Sequence, residues 1–297
     1  MSVILGIGGV TLDRVGYIPR MPGWDEVEYL TSLDVRQGGM AATAMMAAAR
    51  LGADAEYIGG VGDDEEGDRV LGEFRRGGVR SERVKVFQGG RTPVSFVLVR
   101  DPGGERTIMH HGGVQERSSL EMNDINLEGV GFLHLDGYWF DTALAAAGNA
   151  RRLGIVVSVD PSTSVTREKA EALFPLADYI IPSKKYAERL TGERDPEKAA
   201  AALLGYGAAA VIITMGREGC LVTERVAMEW IPALPVEAVD TTGAGDVFHG
   251  GFVYALSIGS DLFGAVRFAS AAAALKCSRP ATLPTREEVE RLLPAQG

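Results

Sequence analysis

From Gly113 onward the sequence alternates β-like and helix-like segments, and no other feature constrains the fold as tightly. "GFLHLDG" reads as a buried strand and "TALAAAGNARRLG" as a helix. The same alternation runs through "IVVSVDP", "REKAEALFPLA" and "DYIIPS", then the helices "KKYAERLTG" and "PEKAAAALLGYG", and the strand "AAVIITMG". Parallel strands need long crossovers, and a helix is the usual one. The sheet is therefore expected to be largely parallel, with helices on both faces. "GCLVTE" and "RVAMEWIPA" add a hairpin, and helices close the chain, the last from about Thr285 to Leu293.

The N-terminal part supplies the rest of the core. "VILGIGG" is a buried strand ending in glycines, and "GGMAATAMMAAARLG" is a helix whose alanines let another backbone approach. "DDEEGDRVLGEFRRGGV" has acids at its start and arginines at its end, as the helix dipole favours. Two β-rich, half-polar stretches, 12–36 and 84–113, interrupt this order. The second contains "PVSFVLVR", a "DPGGE" turn and "RTIMHH", a hairpin pattern. The expected organisation is an α/β core of residues 1–11, 37–83 and 114–297, with 12–36 and 84–113 forming a small β lid.

Charge and cysteine usage narrow the function. With 30 Lys and Arg against 40 Asp and Glu, the net charge is −10, unsuited to non-specific binding of nucleic acid or anionic membrane. Phosphate must then be handled locally, by backbone N–H groups and a bound cation. Two cysteines, Cys220 and Cys277, argue against a disulfide framework or zinc site and for a reducing, cytoplasmic setting. "MSVILGIGG" lacks the basic start of a signal peptide, and no apolar run reaches membrane-spanning length.

Most chemical motifs are absent. "GIGGVT" misses the third glycine of a dinucleotide fingerprint and is followed by lid-like sequence. The chain has no Gly-Lys pair, so no Walker loop, and no G-x-S-x-G or H-E-x-x-H. His110 and His111 read first as a partly exposed pair, and as substrate contacts second. What remains is "VDTTGAGDVFHGGF". Gly243, Ala244 and Gly245 leave their N–H groups open to an anion at the start of a helix. Asp246 beside them reads either as a helix cap or as a base. A carboxylate next to an anion site suits phosphoryl transfer to a hydroxyl.

"VDTTGAGDVFHGGF" resembles the C-terminal signature of the ribokinase-like, or PfkB, carbohydrate kinases. "QGGMAATAMMAAARLGADAEYIGGVGDDEEG" resembles their N-terminal one. The resemblance covers essentially the whole chain. It implies a three-layer α/β/α sandwich with a β-sheet lid, ATP with Mg²⁺, and a sugar-like acceptor. Asp246 falls on the catalytic base and Gly243 to Gly245 on the anion hole. Asp13, Gly38, Gly39 and Thr43 fall on the sugar pocket, with Arg106 reaching it from the lid. Ser183, Thr214, Gly216 and Gly219 fall on the nucleotide site, which Gly243 and Gly245 share. Asp240 and Thr242 fall where some members bind a monovalent cation such as K⁺. Relatives also pair into homodimers through the lid, for which Tyr29, Leu30, Phe96 and Leu98 are suited; closing over the substrate is the other reading of these residues.

Two departures stand out. Thr43 occupies a position where an asparagine is usual. In "PSKKYAE", Ser183 and Tyr186 replace the asparagine and glutamate of the N-x-x-E segment that organises magnesium. Another acid takes over, or water and phosphates hold the metal, or catalysis is weak. "AATA" and "VRFASAAAALKCSRP" suggest closeness to sulfofructose kinases, whereas "WDEVE" and "LDGYWFD" favour a neutral sugar or sugar acid. Two alternatives stand beside a sugar kinase. One is a nucleoside kinase, with Trp24, Tyr138 and Trp139 stacking a base. The other is a non-catalytic sugar or nucleotide sensor.

Overall fold

The alternating apolar segments assemble into one eight-stranded sheet in the computed structural model, which describes residues 2–101, 104–122, 125–161, 165–279 and 282–293. The strand order is Met228–Ile231, Cys220–Glu224, Ala210–Thr214, Tyr179–Ile180, Val156–Val159, Val130–Leu135, Val3–Ile7 and Ala55–Ile58. All neighbours pair parallel except at the Cys220–Glu224 strand, which is antiparallel to both of its neighbours.

The period-two pattern of each strand divides its side chains between two cores. Leu5 and Ile7 pack on one side with the helices Phe140–Leu153, Arg167–Leu173, Lys184–Thr191 and Pro196–Leu204. Ile4 packs on the other with Met40–Leu51, Glu65–Gly77, Ala244–Ser257 and Leu262–Ser278. The result is an α/β/α sandwich. On the second face, the alanines of Met40–Leu51 let the Ala244–Ser257 helix come close. A Cβ on Gly250 would stand 2.3 Å from the Ala44 carbonyl oxygen.

The lid is a four-stranded sheet in the order Ser32–Gly38, Thr11–Ile18, Val94–Arg100, Arg106–His111. Its outer pairs are antiparallel and its central pair is parallel. The Thr11–Ile18 strand differs from the surface strand expected: Val15, Tyr17 and Ile18 are buried, and Val15 and Tyr17 form a small apolar cluster with Val97 and Val99. Residues 24–31 form no strand, so the alternation in "VEYLTSLDV" yields only Ser32–Gly38. Pro102 and Gly103 of the expected "DPGGE" turn lie outside the described residues.

Candidate active site

Asp246 lies in the first turn of the Ala244–Ser257 helix, but it is not the cap. That position belongs to Gly243, whose φ of 77° is the left-handed conformation glycine tolerates. The carboxyl of Asp246 is not spent on capping the helix. Burial raises its pKa well above the ordinary carboxylate range; the fields of Asp160, Asp13 and Asp136 add to this, while Arg106 opposes it. Arg106 also joins lid to core, donating from Nη1 to Thr241 Oγ1 at 2.7 Å.

Register across the lid aligns Arg36, Asp13, Ser95 and His110 in one row. Thr11 Oγ1 donates to Asp13 Oδ1 at 2.5 Å, and Ser95 Oγ lies 3.2 Å from His110 Nδ1. Burial raises the Asp13 pKa despite Thr11, Ser95, Arg36 and His110. Gly38 makes room for Asp13: a Cβ there would stand 2.1 Å from Asp13 Oδ2. Gly39 opens the Met40–Leu51 helix with φ 94°. Thr43, on that helix, reaches the anion loop, its Cγ2 being 3.8 Å from a Cβ built on Gly243.

A cleft of about 910 Å³ adjoins the loop and is lined by Ser183, Thr214, Gly216, Gly219, Ala244 and Gly245, with Arg106, Lys184, Lys185 and Arg217 adding positive charge. Ser183 caps the Lys184–Thr191 helix, accepting from the Tyr186 N–H at 3.3 Å. Tyr186 takes no part in the cleft. It is buried, its hydroxyl donates to the Val165 carbonyl at 3.0 Å, and burial raises its pKa, so it stays neutral. Among the described residues no group of three His, Cys, Asp or Glu side chains could cage a metal.

Several contributors were not foreseen. Asp136 is buried and accepts three N–H bonds, from Gly9 (2.8 Å), Ala41 (3.0 Å) and Tyr138 (3.0 Å). It ties the end of the first strand to the start of the Met40–Leu51 helix. Burial pushes its pKa up to about 6 in spite of those bonds. Its only sequence signal is the "LDG" at a strand end. Asp160 lies 3.3 Å from His249 Nε2; His249 holds the carboxyl of Asp160 below its ordinary pKa against the effect of burial. His134 stacks near His249 at 5.2 Å, and burial with that neighbour pushes it down to about 3, so it is neutral. Asp240, which the sequence did single out for a monovalent cation, is fully buried. It accepts from the Thr242 N–H (2.8 Å), Arg36 Nη2 (3.1 Å) and Tyr17 Oη (3.4 Å).

Two of the three aromatic residues named for base stacking have these surroundings: Trp139 is buried and stacks on Phe87 with centroids 5.7 Å apart, and Trp24 is 99% exposed.

The pfkB family carbohydrate kinase profile matches residues 3–288. The chain belongs to the pfkB family of carbohydrate kinases. An ATP-dependent ribose-1-phosphate kinase of Halopiger xanaduensis is 31% identical over 99% of this chain and 98% of its own length. A Bacillus subtilis ribokinase is 29% identical over 99% of this chain and 100% of its own length. A Thermotoga maritima ribokinase crystal structure superposes with a TM-score of 0.86 at 29% identity, covering 98% of this chain and 99% of that one. These similarities do not show the closeness to sulfofructose kinases suggested by "AATA" and the "VRFASAAAALKCSRP" segment.

Proposed function

We propose that this kinase transfers the γ-phosphoryl group of ATP to a hydroxyl of a sugar or sugar acid, with Asp246 as general base. The observation that supports this reading is that Asp246 follows directly on Ala244 and Gly245, which line a cleft carrying Arg106, Lys184, Lys185 and Arg217, and that it feels the charges of Asp13 and Arg106. In this mechanism the acceptor O–H breaks, its proton passes to the Asp246 carboxylate, and the acceptor oxygen forms the new bond to phosphorus. The bond from phosphorus to the ADP oxygen breaks in the same displacement. The N–H groups of Gly243, Ala244 and Gly245 stabilise charge on the transferring group, and Arg106 adds a cation from the lid. Asp13 accepts from sugar hydroxyls, while Gly38, Gly39 and Thr43 shape the wall of that pocket. Ser183, Thr214, Gly216 and Gly219 hold the nucleotide.

Magnesium accompanies the nucleotide and neutralises phosphate charge. A site without a carboxylate cage suits an ion held mainly by phosphate oxygens and water. Glu188, on the cleft wall, is the carboxylate of this segment best placed to hold one of those waters.

We also propose a homodimer formed through the lid, and a cytoplasmic protein; among the described residues no helix is long and apolar enough to cross a membrane. The acceptor is tested by a coupled ADP assay across ribose, fructose, ribose-1-phosphate, sugar acids and nucleosides. Turnover that needs both Mg²⁺ and a sugar or sugar acid supports the reading. Turnover with nucleosides alone, or ligand binding with no turnover against any acceptor, overturns it.

A further inference from the structure

We infer that Lys276 and Arg36 together supply the positive charge that the buried Asp240 carboxylate requires, so that the anion-hole loop is held without a monovalent cation. Asp240 opens this loop and is wholly shielded from water. The N–H groups of Val239 and Asp240 both donate to the Cys277 carbonyl, at 2.9 and 3.2 Å. That contact fixes the loop against the end of the Leu262–Ser278 helix, where Lys276 is the preceding residue. Lys276 is only 5% exposed, and its Nζ has no hydrogen-bond partner among the described residues.

A buried ammonium without a hydrogen bond has to be held by field, because leaving water otherwise favours its neutral form. Arg36 repels the Lys276 ammonium, and the Asp240 and Asp246 carboxylates favour its charge. Burial and then Arg36 lower its pKa, against those carboxylates. Asp240 in turn is held below the ordinary carboxylate range. Burial pushes it up, but the Thr242 contacts, Arg36 and Lys276 outweigh that.

This donor set does not suit a metal cation. Oδ1 of Asp240 is engaged by the Thr242 N–H, and Oδ2 by Arg36 and Tyr17. An ammonium offers no lone pair to a metal, and a third positive charge would stand beside two fixed ones. The cation implied for Asp240 and Thr242 is therefore replaced in this chain by covalently attached charge.

The test compares the purified full-length protein in KCl and NH₄Cl with tetramethylammonium chloride at constant ionic strength. Melting temperature and, separately, phosphoryl transfer are read. The melting arm needs no acceptor, so its failure is distinct from a failure of the sugar-kinase reading. For the wild-type protein neither KCl nor NH₄Cl is expected to raise Tm, or to raise turnover by more than about twofold, since nothing binds for linkage to report. Lys276→Met, similar in length and uncharged, is expected to lose about tenfold or more in tetramethylammonium and to regain Tm and turnover with K⁺ or NH₄⁺. The inference is overturned by a wild-type protein that K⁺ stabilises or activates severalfold. It is equally overturned by a Lys276→Met variant that matches wild type, or one that melts cooperatively and is not rescued. Should Lys276→Met fail to fold, Lys276→Gln takes its place, and the wild-type arm decides by itself.

Discussion

Asp246 is pulled between folding and chemistry. Its folded pKa is raised by burial and by three neighbouring carboxylates. Between the unfolded value of about 3.9 and the folded one, the native state binds more protons, so stability falls as pH rises through that window. Asp246→Asn removes the repelled charge. The variant is expected to melt above wild type at neutral pH, with the gain vanishing below about pH 4, where both states of wild type are protonated. Sugar-dependent turnover should fall by about 10²- to 10⁴-fold, the range a general base contributes. Tm against pH for both proteins checks the first part, and kcat/KM the second; the acid limb of wild-type kcat/KM should lie above the ordinary carboxylate range. Asp136 presents the opposite case. Its charge is unfavourable in burial, yet it satisfies three N–H groups. Asp136→Asn turns an NH₂ toward donors and strands at least one of them, at a cost of about 1–3 kcal/mol. Urea denaturation should move to a lower midpoint with unchanged slope. The contrast explains what was legible. Asp246 stands beside a run of small residues that draws attention to it, as a cap or as a base, whereas Asp136 in "LDG" looks like any strand end. Its partners, Gly9 and Ala41, come from distant sequence.

At the scale of elements, the strands and helices of the core followed from their periods, because each buried strand is short, apolar and bounded by glycine or polar residues. The lid was harder to read. "TLDRVGYI" mixes polar and apolar residues because its two faces meet different surroundings. Asp13, Val15 and Tyr17 point one way, with Tyr17 reaching Asp240 in the core. Arg14 and Gly16 point the other, and Leu30 folds over Gly16, where a Cβ would stand 2.9 Å from Leu30 Cδ2. Only the packing reveals which face is inside. The junction from lid strand to helix is the sensitive element. Gly38→Ala would drive a Cβ into Asp13 Oδ2, displacing the carboxylate proposed to receive the sugar hydroxyls. The expected outcome is a rise of about tenfold or more in KM for the acceptor, as one charged hydrogen-bonding group leaves its position. KM for ATP should stay unchanged, since the cleft proposed for the nucleotide has its own lining. Steady-state kinetics with each substrate varied in turn checks the split. An equal loss for both substrates would mean that Gly38 serves the fold rather than the pocket.

At the scale of the whole molecule, the lid has two chemically distinct faces. The polar row Arg36, Asp13, Ser95 and His110 lies on one face, whereas Phe96 and Met109 lie on the other, beside Leu33 and Leu98; in that second row Val35 packs on the core and Arg14 pairs with Glu66 of the Glu65–Gly77 helix, so only the Phe96–Met109 side is open. Leu33 is 59% exposed, Phe96 49% and Met109 50%. Tyr29 and Val27 extend the apolar surface along the preceding segment. Side chains of this size, gathered on one sheet face, make a patch that a monomer seldom leaves in water. An isologous pairing of two lids would cover it and would hold each lid in register over its own site. The expected result is a dimer in sedimentation equilibrium. Phe96→Asp combined with Met109→Asp should shift the protein to monomer, because two carboxylates per lid would meet their symmetry mates in a desolvated interface. Neither side chain lies in the row of Asp13, so circular dichroism and Tm should report an intact core. Acceptor KM should rise as the lid loses its support, while Asp246 chemistry at saturation persists. A wild-type protein that sediments as a monomer at every concentration, or a double variant that remains dimeric, would assign the outer lid face another role. The lid would then act within one chain, held to the core by Arg106 on Thr241 and by Arg36 and Tyr17 on Asp240.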